Sequence, residues 1–149
     1  MNMGRALFTT VLSLVLNGHL VAAEPAATKA AESGVVSYYL DIRPIFVQNC
    51  QGCHQPAKAS GGYVMTSHAA ILKMGDSEEA PIVAGKPQES LLVAQITSQD
   101  GQPPVMPRGK EPLPELQVNL IKKWIEQGGK DDTPPSARLE DFARDLPLS

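Results

Sequence analysis

Cysteine is scarce in this chain: two residues in 149, Cys50 and Cys53, set three apart in the stretch CQGCH. Without a second cysteine pair, a four-cysteine zinc site is excluded. A four-ligand site would have to recruit His54 and His68, which lack the usual paired spacing. Apolar runs long enough to span a bilayer are also missing. The longest, ALFTTVLSLVL, is broken by Asn17, Gly18 and His19. No basic stripe or patch accompanies the formal charge of −3, so nucleic acid is not an expected partner. Internal repeats are absent, and so are strands beyond short extended pieces.

What is present begins with a secretory pattern. Arg5 supplies a positive start, ALFTTVLSLVL an apolar core, and Val21 and Ala23 small residues at the positions a signal peptidase reads. Residues 1–23 are therefore expected to be a cleaved signal peptide rather than an anchor, with no stable membrane span afterwards. Export places the two cysteines in an oxidising compartment, periplasmic or on the outer face of the cytoplasmic membrane. Residues 24–37, rich in alanine and polar side chains, read as a flexible leader. The remainder suits one small domain, 38–130, followed by a linker and C-terminal tail over 131–149.

Helical signals dominate that domain, which predicts an all-α fold with long loops. DIRPIFVQNC places Ile42, Ile45, Phe46 and Asn49 on one face, with Pro44 in the first turn. SHAAILKMG reads as a short helix capped by Ser67 and stopped by Gly75. PQESLLVAQIT reads as a helix burying Leu91, Leu92 and Ile96. SQDGQPPVMPRGKEPLP holds five prolines and is too long for an idle connector. The strongest helix is LPELQVNLIKKWIEQGG, with an expected inward stripe of Leu116, Leu120, Ile121, Trp124 and Ile125 and a stop at Gly128.

Three chemistries want two cysteines at this spacing: a dithiol redox switch, half a zinc site, or a covalently attached haem. A thioredoxin-like dithiol sits between strand and helix in a βαβ setting, which this pattern lacks. Haem attachment needs two thiols at a fixed short separation to add across the two porphyrin vinyl groups. It also needs a following histidine to lie under the iron, and C-x-x-C-H is that signature. The export signal meets a requirement of the attachment chemistry. The reading is one haem c, bound through Cys50 and Cys53, with His54 as proximal iron ligand.

The sixth iron position separates electron transfer from small-ligand or peroxide chemistry. Met106, between Pro104 and Pro107 in PPVMPRG, is the expected ligand, because prolines stiffen the loop presenting its thioether. The bland alternative is a gap-filling core methionine. Met65 and Met74 are expected in the core or at the surface, and His68 as a solvated helix-start residue. Ile45, Phe46, Leu92, Ile96, Leu116 and Leu120 are the expected apolar surround of the haem. Lys110, Lys122, Lys123 and Lys130 read as solvated helix charges or a local basic face.

This order of motifs resembles the class I cytochrome c fold. DIRPIFVQNCQGCH, IVAGKPQESLL, and PPVMPRG followed by LIKKWIEQGG are more specifically similar to the planctomycete-type cytochrome c domain, over roughly Tyr38 to Pro135. The resemblance implies a mono-haem helical domain whose first and last helices cross. It implies thioether attachment at Cys50 and Cys53, with His54 and Met106 as axial ligands. The implied function is single-electron transfer between redox partner proteins, as a carrier rather than an enzyme. The alternative is a haem-based ligand sensor or docking module of a larger redox assembly.

Overall fold

A computed structural model describes residues 34–138. The expected signal peptide, most of the leader and the end of the tail lie outside the described residues. A π-helical turn, Tyr38–Ile42, leads into α1, Arg43–Asn49. Two-residue strands β1, His54–Gln55, and β2, Lys58–Ala59, pair antiparallel. Then follow α2, His68–Ile71, a 3-10 turn at Pro87–Glu89, α3, Leu91–Ile96, and α4, Glu115–Glu126. The domain is helix-rich with long loops, and the small hairpin qualifies the all-α expectation.

Local chemistry explains the entry. The Ser37 hydroxyl accepts from the Leu40 N–H at 2.9 Å, and the Asp41 carboxylate accepts from the Ser37 N–H at 2.8 Å. This reciprocal pair satisfies donors that a helix start leaves orphaned. Pro44 falls in the first turn of α1, where its missing N–H costs nothing. Ser67 caps α2 as its sequence predicts, accepting from Ala70, but that helix ends at Ile71, short of Gly75. The single helix expected over PQESLLVAQIT is two pieces. Ser90 is extended there, and its buried hydroxyl takes the Val83 N–H and donates to the Lys86 carbonyl.

The core gathers around Trp124, 1 % exposed on α4. Its ring lies 5.6 Å from Tyr38, 6.5 Å from Phe46 and 5.9 Å from His68, the last two edge-on. The N-terminal helical segment thus packs on the C-terminal helix. The inward face of α4 is Val118, Ile121, Trp124 and Ile125, whereas Leu116 is 78 % exposed and Leu120 half-buried. This corrects the expected stripe. Leu116 lies about 200° around the helix from Val118, so the two cannot share a face.

Helix α4 ends in a paired motif, with the Gly129 N–H bonded to the Trp124 carbonyl and the Gly128 N–H to that of Ile125. Gly128 has φ +100°, a conformation an L side chain resists. Gly128→Ala is expected to cost about 1–2 kcal/mol, lowering the thermal midpoint by roughly 5–10 °C. A melting curve superimposable on the parent would refute this.

Both flanks of the expected domain are more engaged than their composition implies. Val36, within the stretch read as leader, is 6 % exposed, and its N–H donates to the Gln127 side chain at 2.8 Å. The segment read as a linker buries Thr133 and Ala137, and Asp131 pairs with Arg138 at 3.3 Å.

Candidate functional site

Helix α1 carries the chain to Cys50, and the turn that follows is closed by Cys53 N–H and His54 N–H bonds to the Cys50 carbonyl. Cys50, Cys53 and His54 all line one cavity of about 610 Å³. Met106 lines it too, delivered by the proline loop and held by its N–H bond to the Gln95 carbonyl of α3 at 2.9 Å. The four expected site residues, separated by up to 56 positions in sequence, are therefore brought to one place.

His54 has a defined tautomer. Its Nδ1 lies 3.2 Å from the Tyr63 carbonyl oxygen. A carbonyl only accepts, so Nδ1 is the donor, and in the neutral ring Nε2 is the nitrogen left with a lone pair. This is the arrangement of a metal-binding imidazole oriented by a backbone partner. His68 is different. Its Nε2 sits 2.8 Å from the Gly129 carbonyl, and its ring meets Tyr38 and Trp124 edge-on. It is a half-buried structural residue rather than the solvated one expected, and it does not line the cavity. The set of Cys50, Cys53, His54 and His68 that zinc would require is thus not assembled.

The thiols differ from each other. Burial pushes the Cys50 thiol up to about 11, against the downward pull of the Lys110 ammonium. A thiol held neutral is a poor nucleophile, so Cys50 is not suited to be the attacking thiol of a redox pair. Cys53 is exposed, with the Lys58 ammonium 3.5 Å from its sulfur. Tyr63 is also raised, by burial first and then by Cys50 and Tyr38. Its hydroxyl stays protonated and donates to the Ile71 carbonyl at 2.7 Å.

The apolar lining differs in part from its expectation. Leu92 and Ile96 line the cavity, joined by Leu91, Leu113 and Met65. Ile45 and Phe46 are core residues, and neither they nor Leu116 and Leu120 are among its lining residues. Leu113 precedes α4 in a proline loop, so no periodicity marked it. Met74 is 60 % exposed. Of the expected lysines, Lys110 reaches the cavity, where its ammonium lies 3.5 Å from the Gln48 carbonyl.

Residues 50–108 match the family model described as planctomycete cytochrome C. The match runs from the first cysteine past the methionine loop. Its span is narrower than the Tyr38 to Pro135 resemblance, leaving α1 and α4 outside. No curated protein and no solved structure matches the chain. The family implies a haem c, and the residues fit one. The cavity has the size of a cofactor site and is lined mostly by apolar groups, with two thiols, an imidazole of the right tautomer and a thioether converging on it. Over residues 50–108 the chain is thus similar to the planctomycete cytochrome C family.

Proposed function

We propose that this protein is an exported mono-haem c-type cytochrome that passes single electrons between redox partner proteins. Cys50 and Cys53 would hold the haem through thioethers, and His54 and Met106 would supply its iron ligands. The observation that carries the reading is the meeting of all four side chains in one apolar cavity, with the His54 Nδ1 committed to the Tyr63 carbonyl. When bound, the haem supplies a one-electron Fe(III)/Fe(II) couple.

The chain's own residues orient ligands and exclude water. The Tyr63 carbonyl orients the His54 ring. The Met106 N–H bond to Gln95 keeps the thioether loop on α3, limiting rearrangement between redox states. Leu92, Ile96 and Leu113 present hydrocarbon, which disfavours the more charged oxidised centre. Among the described residues no helix is long and apolar enough to cross a membrane. Export rests on the pattern of residues 1–23.

Secretion in a host with haem-attachment machinery, followed by absorption spectroscopy, tests this. Sharp c-type bands on reduction and a weak far-red sulfur-to-iron band on oxidation are expected. Haem bands without the far-red feature would remove Met106 as ligand and favour ligand sensing. A colourless folded product would overturn the haem reading.

A further inference from the structure

The CQGCH loop contains a second residue with a directed contact. The Gln51 side-chain amide donates to the Met65 carbonyl at 2.8 Å, fourteen residues away. A carbonyl accepts only, so the amide nitrogen is the group that faces it. The segment it grips, 63–65, is the one that faces His54. The Met65 N–H donates to the His54 carbonyl at 2.9 Å, and the Tyr63 carbonyl lies 3.2 Å from His54 Nδ1. On its other side the segment is tied by the Tyr63 hydroxyl to the Ile71 carbonyl at 2.7 Å.

We propose that Gln51 is a positioning residue for His54, setting its strength as an iron ligand by clamping the 63–65 segment against the imidazole. The proposal rests on the haem reading above. The Tyr63 carbonyl is a main-chain group whose place depends on how firmly its segment is held. Met65 is 2 % exposed, so the lower end of the segment is fixed in the core. Gln51, half-buried, closes the loop from the motif itself. A shorter Nδ1–carbonyl bond makes the imidazole a stronger donor, which favours the oxidised iron. Releasing the clamp lets that bond lengthen, weakens the donor and raises the reduction potential. A glutamine that merely satisfied the Met65 carbonyl would affect stability alone.

The test compares the haem-loaded full chain with Gln51→Met, which keeps length and removes the donor, and with Gln51→Asn, whose amide falls one methylene short. Two quantities are read: the midpoint potential, and exchange of the His54 Nδ1 proton by NMR in the reduced protein. Both variants should show a higher potential, with proton exchange faster by roughly tenfold in Gln51→Met, the loss of about one hydrogen bond, and less in Gln51→Asn. Either variant decides if the other fails to fold. An unchanged potential and exchange rate in a folded, loaded variant would overturn the proposal, even if its melting point fell. Failure of the haem reading looks different: the parent chain itself would carry no haem, and both proposals would fall.

Discussion

Met106→Ala is expected to leave the haem attached, lower its reduction potential and open the iron to carbon monoxide. In the proposed reading attachment rests on Cys50 and Cys53, which the substitution does not touch, and Met106 is only partly buried, so the fold should persist. The thioether favours the reduced iron more than water or an added nitrogen ligand would. The expected fall is on the order of 100 mV, a modest share of the ~0.8 V that axial ligands span. Redox titration and carbon monoxide difference spectra check both consequences. An unchanged potential with no carbon monoxide uptake would make Met106 a packing residue and send the search for a sixth ligand elsewhere.

Trp124→Ala has the largest expected effect on the fold. The indole is 1 % exposed, contacts three aromatic rings, and donates to the Lys130 carbonyl at 2.9 Å. Truncation costs about 3–5 kcal/mol from a total that for such domains is about 5–15 kcal/mol. The haem-free form should then unfold at a clearly lower denaturant midpoint than the parent, with bound haem recovering part of the loss. Trp124→Phe separates the two contributions, keeping most of the packing while leaving the Lys130 carbonyl without its donor, at about 1 kcal/mol. Denaturant titrations of both variants decide it, and a Trp124→Ala midpoint within error of the parent would disprove the central role of this residue.

The residues that meet in the cavity were legible because their information is local. Cysteines three apart and an adjacent histidine state their chemistry in five residues, and two flanking prolines single out Met106. Ser67 and Gly128 were legible for the same reason, since caps and stops act within one turn. What the sequence hid was long-range or carried by the backbone. His68 meets a carbonyl 61 positions away, and the orienting partner of His54 is a main-chain oxygen that would be present whatever residue stood at position 63. Leu116 shows how i, i+4 spacing misleads. Leu116, Leu120 and Trp124 are spaced as a stripe, yet the helix turns so that Val118 and Ile121 face inward and Leu116 faces water.

The Gln127 amide has a consequence for how this domain can be joined to others. Its nitrogen donates to the Gly34 carbonyl at 2.6 Å while its oxygen accepts from Val36, and nearby the Tyr39 N–H donates to Asp132 at 2.8 Å. Residues 34–39 and 127–132 are thus stitched side by side. A domain whose flanking segments are held this close together would make a compact insert. It can be spliced into a surface loop of a host protein, or circularly permuted by a short bridge between its ends, without pulling the elements around the cavity apart.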